Sequence, residues 1–248
     1  MANTDHIIDL LMHHRSIRKF TNVPVGDDLL HKLIAAGQAA ASSSFLQGVT
    51  VIRVTDREKR AAFKDITGGQ AYVEAAPEFL VFCADLSRPM RCCTAHGGTP
   101  AEGLTEHFII ATVDAALYAQ NIAIAAESAR LGICYIGAIR NDAARAAELL
   151  DLPQQVYPVF GMCIGWPDQD PEVKPRLPLS VMLKKNSYNI DGEAEAIAAY
   201  DEEMRTYYAT RSANIKIQGW SEQMAGLLGR ESRLHMRPFL EAKGFLKR

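Results

Sequence analysis

His14-Arg15-Ser16-Ile17-Arg18 places three cation-capable side chains and one hydroxyl within a single short stretch. Far downstream, a second basic pair, Lys174-Pro175-Arg176, stands in a proline-rich segment. Arginine forks beside hydroxyls suit a phosphate monoester, because they supply donors and compensating charge without acid or base chemistry. Between the two basic segments lie a serine run, Ser42-Ser43-Ser44-Phe45, a Gly68-Gly69-Gln70 turn and a Tyr135-Ile136-Gly137 turn. Taken singly, each also reads as solvated surface, a helix-ending loop or an ordinary turn.

Other chemistries find little support. There is no Gly-x-Ser-x-Gly elbow, and no cysteine has an activating sequence context, which argues against a hydrolase. None of the seven histidines forms a metalloprotease pair, and His13 and His14 are adjacent and so point apart on a helix, so no metal ligand is assigned. Gly68-Gly69 runs into Gln70 rather than into the Lys and Ser/Thr of a P-loop, and no Gly-x-Gly-x-x-Gly fingerprint occurs. What remains is a chain able to hold a phosphate and a planar ring, with no catalytic group of its own. That combination suits a bound redox cofactor, which carries the chemistry while the protein supplies position and electrostatics.

The elements that must position these residues follow from periodicity. About Thr4 to His13 reads as a short helix, Asp27 to Ala41 as a second, and Gly103 to Arg130 as one long helix apolar nearly all round in its middle, implying burial on most sides. Strands are expected over Val49–Thr55, Phe79–Ala84, Ile133–Ile139 and Tyr157–Trp166. Ala143–Leu150 and Glu193–Tyr208 read as helices, with weaker ones at Ser221–Leu228 and Phe239–Gly244, whereas prolines 171, 175 and 178 make Asp168–Leu179 an extended loop. This mixture gives an α+β layered fold, with 1–190 as the core and 191–248 as a helical extension of the same domain. The long apolar helix is more than one small core needs, so a homodimer is expected around it.

At 248 residues and a net charge of -2, neither nucleic acid nor an anionic membrane surface is an expected partner. Residues 1–9 lack the pattern of a secretion signal, and five cysteines without framework spacing suit reduced thiols in a cytoplasm. Cys92-Cys93 lacks the two-residue gap of a metal pair and reads as two thiols in a loop. Phe108–Ala126 is apolar enough to suggest a membrane span, but Asp114, Gln120 and Asn121 make a buried helix the better reading.

In chain order, His14-Arg15-Ser16-Ile17-Arg18, Ser42-Ser43-Ser44-Phe45-Leu46-Gln47, Thr67-Gly68-Gly69-Gln70, Tyr135-Ile136-Gly137, Gly165-Trp166-Pro167 and Lys174-Pro175-Arg176-Leu177-Pro178 resemble the oxygen-insensitive NADPH nitroreductase family. The match is to its NADPH-preferring branch, which includes NADPH-flavin oxidoreductases, and it runs from about His14 to Asn214. The resemblance implies a nitroreductase-like fold with a central, mostly antiparallel sheet flanked by helices. It also implies a homodimer with one FMN at each of two interface sites, the helical extension embracing the partner, and ping-pong hydride transfer from NADPH to nitroaromatic and quinone-type acceptors. A flavin reductase that releases free reduced FMN and a non-catalytic flavin-binding protein are the alternatives.

Carried over by position, His14, Arg15, Ser16 and Arg18 would hold the FMN phosphate and ribityl chain. Ser42 and Gln70 would hydrogen-bond the ribityl chain or ring edge, and the backbone of Tyr135, Ile136, Gly137 and Ala138 would line the isoalloxazine. Lys174 would favour negative charge on the reduced ring, and Arg176 would assist the phosphate end. Arg211, preceded by Tyr207-Tyr208, resembles the residue that grips the extra phosphate of NADPH, with Lys216 where the family often has a further arginine. Ala138 stands where the family's turn usually has a second glycine.

Overall fold

The computed structural model describes residues 4–212 and 214–248. Four strands, β1 (Val49–Arg53), β2 (Glu78–Asp85), β3 (Gly132–Ile136) and β4 (Val156–Gly165), form a sheet of order β1-β2-β4-β3 in which every pair is antiparallel. β2 is buried along its whole length, which is why it reads as a continuous apolar run rather than an alternating one. Its side chains still alternate between the two faces. Phe79, Val81 and Cys83 enter one core layer, and Leu80 and Phe82 enter the other.

By its contacts the chain divides into two compact units. The first runs to Gln169 and takes up again at Arg233–Arg248; the second is Asp170–Ser232. The segment from 191 onward therefore contributes to both.

In the first unit the helices are α1 (Thr4–Met12), α2 (Asp27–Gln38), α3 (Arg57–Ile66), α4 (Ala71–Ala75), α5 (Ser87–Ala95), α6 (Thr105–Ser128) and α7 (Ala143–Leu149). α6 lies across one face of the sheet. Its Ala119, Ile122, Ala123 and Ala126 pack with Leu80, Phe82, Met162 and Ile164, and with Leu30 and Leu33 of α2. The small alanine side chains let helix and sheet backbones approach closely. On the other face Phe63 and Ile66 of α3, Val73 of α4 and Ala146 of α7 close the second layer.

α6 is long and apolar enough, by length and composition, to cross a membrane, but here it is the central helix of this unit. It is not buried all round, as its composition suggested. Ile109 (47 % exposed), Val113 (48 %) and Leu117 (42 %) recur at helical spacing as an open apolar stripe.

α3 and α5 were not legible as helices in the sequence. α3 is charge-rich and buries only Phe63 and Ile66, and its start is fixed by Asp56, whose carboxylate accepts the Lys59 N–H at 2.9 Å. α5 carries Cys92 and Cys93, which lie on a helix and not in a loop. All five thiols are free, and burial pushes those of Cys83 and Cys163 far up, leaving them inert.

The second unit holds α8 (Leu179–Met182), α9 (Glu193–Thr210) and α10 (Trp220–Leu228). Tyr200, Met204 and Tyr208 of α9 form its core with Leu177 and Trp220. The Tyr200 hydroxyl donates to the Pro175 carbonyl at 2.9 Å and so fixes the proline-rich segment against α9. The tail's α11 (Met236–Ala242) returns to the first unit, where Leu240 and Phe245 pack beside Tyr157.

Candidate active site

β3 is an edge strand, so one side of its backbone faces no neighbouring strand. Along that edge runs the His14–Arg18 segment. Ser16 bridges Ile133, and the Ile17 N–H donates to the Ile133 carbonyl at 2.9 Å. The approach is close enough to require glycine at 132, where a Cβ would come 2.5 Å from the Ile17 side chain. Ile17 is buried, which turns the residues flanking it away from the core and leaves Arg18 exposed. The Arg18 guanidinium lies beside the Tyr72 phenol, whose pKa is raised by burial against the pull of that cation.

His14 Nδ1 lies 2.6 Å from Glu127 Oε1 at the end of α6, so a carboxylate orients the ring and leaves Nε2 as its other polar atom. Glu127 was missed in the sequence because nothing local links it to His14.

The structure thus brings His14, Arg15, Ser16 and Arg18 onto the strand that carries Tyr135 and Ile136, with Gly137 and Ala138 opening the short helical turn Gly137–Asp142. The Tyr135 ring packs edge-on against Phe160, its hydroxyl donates to Gln120 Oε1 at 3.3 Å, and Ile136 is in the core. Gln70 immediately precedes α4, and its Oε1 is buried without a hydrogen-bond partner among the described residues. An orphaned buried acceptor costs about 1–3 kcal/mol. A flavin, with an imide N–H and a hydroxylated side chain, is a ligand that would relieve it, and the cationic segment along the β3 edge fits a phosphate.

Ser42 is elsewhere. It precedes β1, at the opposite edge of the sheet, which is three strand spacings or roughly 14 Å from β3. Its loop has an unusual construction. Ser44, Phe45 and Gln47 have positive φ (50°, 56° and 53°), a conformation costing about 1–2 kcal/mol for each such residue. Opposing that cost is Asp114 of α6, a buried carboxylate (3 % exposed) that accepts the Ser42 hydroxyl at 2.6 Å, the Gly48 N–H at 2.9 Å and the Ser43 N–H at 3.3 Å. Hydrogen bonds to a charged group contribute about 1.5–3 kcal/mol each, so the anchor is large enough to hold the loop. The Ser42 oxygen also accepts the Gln47 N–H at 2.7 Å, so its one proton and one of its two acceptor positions are already committed.

In the second unit three cations converge on one phenol. The Lys216 and Lys174 ammonium groups lie 4.2 and 5.3 Å from the Tyr208 ring centre, and the Arg211 guanidinium 4.5 Å. Arg211 also donates to the Asn214 carbonyl, while Glu172 receives Ser212. Burial pushes the Tyr208 hydroxyl up, but Lys174, Gln223 and Lys216 outweigh it, so the phenol titrates below its usual range. Lys174, given to the flavin by resemblance, is therefore grouped with the two residues given to NADPH. Arg176 stands apart and exposed, close to Tyr200.

Residues 11–166 match the model of the nitroreductase family, and residues 174–248 match the C-terminal domain of that family. The chain belongs to the nitroreductase family. Over its full length it is 48 % identical to the NADPH-flavin oxidoreductase of Vibrio harveyi, with all of both chains covered. It is 43 % identical to the oxygen-insensitive NADPH nitroreductase of Salmonella typhimurium, covering 97 % of this chain and 98 % of the other. The solved structure of the Vibrio harveyi NADPH:FMN oxidoreductase complexed with NAD+ superposes with a TM-score of 0.88 at 46 % identity, covering 98 % and 99 % of the two chains. This nitroreductase thus has the α+β architecture and antiparallel sheet that its sequence led one to expect.

Proposed function

We propose that this nitroreductase is an FMN-dependent NADPH oxidoreductase, a homodimer of the cytoplasm that passes electrons in pairs to nitroaromatic and quinone-type acceptors. The observation that carries the reading is the orphaned Gln70 Oε1 in the unit whose β3 edge holds the His14–Arg18 segment. FMN, when bound, supplies the hydride chemistry. The chain's own residues bind and orient. His14, held by Glu127, with Arg15, Ser16 and Arg18 grips the phosphate end, Gln70 accepts from the ring or ribityl chain, and the backbone of residues 135–138 flanks the ring. Lys174, Arg211 and Lys216 gather positive charge around Tyr208, which suits the extra phosphate of NADPH.

The homodimer is supported by two features. The apolar stripe Ile109, Val113 and Leu117 is open in the single chain. Ser42 stands at the sheet edge remote from Arg18, so one chain holds two different half-sites. The name of the Vibrio harveyi relative favours free flavin as one further acceptor.

Anaerobic addition of NADPH to the purified yellow protein tests this reading. The expected result is loss of the bound-flavin absorbance and its return on adding a nitroaromatic, a quinone or free FMN. A flavin that NADPH leaves oxidised would make the protein a binder without turnover.

A further inference from the structure

We infer that Asp114 is a positioning residue for the flavin site, acting through the Ser42–Gly48 loop. This rests on the flavin reading above and deepens it. The acid lies in the middle of a long, mostly apolar helix, is buried, and among the described residues makes no ion pair; its hydrogen bonds come from Ser42, Ser43 and Gly48. A buried charge satisfied wholly by one loop is a device for fixing that loop. The loop needs fixing, since three of its residues hold positive φ without being glycine. Gly48 completes the arrangement. A Cβ there would come 3.3 Å from the Ala111 backbone, so glycine lets the loop lie against α6 at the turn that carries Asp114.

The loop presents its contents outward. Ser43 and Ser44 are exposed and the Phe45 ring is 80 % exposed, while Ser42 is turned inward to the carboxylate. Ser42, named by resemblance as a flavin contact, therefore serves first as the link between loop and anchor. Asp114 sets where the outward groups stand without itself reaching a ligand.

The test is titration of FMN and of riboflavin, which lacks the phosphate, on Asp114→Asn, Ser42→Ala and the double variant. Asparagine keeps the volume but turns one acceptor oxygen into a donor facing donors. Asp114→Asn is expected to weaken both flavins by the same factor, about tenfold, because the phosphate grip on the β3 edge is untouched. Ser42→Ala, a loop-side change that leaves the core intact, is expected to give a smaller equal loss. The double variant should add little to Asp114→Asn, since both act on one link. Cleavage after Phe45 by a chymotrypsin-type protease should quicken in Asp114→Asn and Ser42→Ala while the far-ultraviolet dichroism stays native.

A loss confined to FMN, additive losses in the double variant, or unchanged affinities beside a wild type that binds both flavins would overturn the inference alone. A wild type that binds neither flavin would overturn the flavin reading and the inference with it.

Discussion

The two edges of the sheet are built on opposite principles. At the β3 edge an unstrained, cation-bearing segment lies along the outer strand, tied by a backbone bridge to Ile133 and by Glu127 to α6. At the β1 edge a strained, uncharged loop is held from beneath by the buried anion of Asp114. The β3-edge segment carries its own cations, whereas the β1 loop carries none of its own and receives Arg88 at its Gln47 carbonyl, 3.3 Å away. Both are fastened to α6, through carboxylates about 20 Å apart along its axis. In the homodimer proposed above the complete site is shared, with α6 as the element that carries both halves and lies open along Ile109, Val113 and Leu117.

The largest effect should come from that open stripe. Leu117→Asp places a charge where an apolar seam is proposed, and it is expected to give a monomer by light scattering that loses flavin by roughly a hundredfold or more. A dimer with unchanged flavin content would remove the stripe from the interface. Next, Arg18→Ala should weaken FMN by roughly tenfold while leaving riboflavin unchanged, because one charge-assisted contact to the phosphate contributes about 1.5–3 kcal/mol. Equal losses for the two flavins would mean that the β3 edge works by shape after all.

Arg211→Ala is expected to raise the KM for NADPH but not for NADH, with little change in kcat, the signature of lost ground-state binding to the extra phosphate. Equal effects on both nucleotides would take the Tyr208 cluster out of that role. The smallest effect belongs to Ala138→Gly. Alanine is accommodated without positive φ at this position, so removing its methyl should change flavin affinity less than about threefold, or under 1 kcal/mol.

Much of this architecture could be read from the chain. α2, α6, β2 and β4 have strong periodicity or long apolar runs, and the His14–Arg18 and Gly68–Gln70 segments carried recognisable side-chain chemistry. What could not be read was what depends on contacts distant in sequence. The order β1-β2-β4-β3 is set by pairings across the whole unit, so nothing in the sequence placed Ser42 and Arg18 at opposite edges. Glu127 and Asp114 find their partners 113 and 72 residues away, at His14 and Ser42. Asp114 did leave a signal as an acid in an apolar helix, but in the sequence it argued only against a membrane. The place of Lys174 beside Arg211 and Lys216 was likewise hidden, because Tyr208 draws it from the proline-rich segment to the stretch that holds the other two.

The shared site is tested most directly by mixing lesions. A heterodimer is assembled from one chain carrying Arg18→Ala and one carrying Asp114→Asn, separated by distinct tags, and its tightly bound FMN is counted. If each site takes its β3 edge from one copy and its β1 edge from the other, one site collects both lesions and the second has none, so one FMN per heterodimer binds with wild-type affinity. If both edges of the same chain served one site, each site would carry one lesion, and no wild-type FMN site would be found.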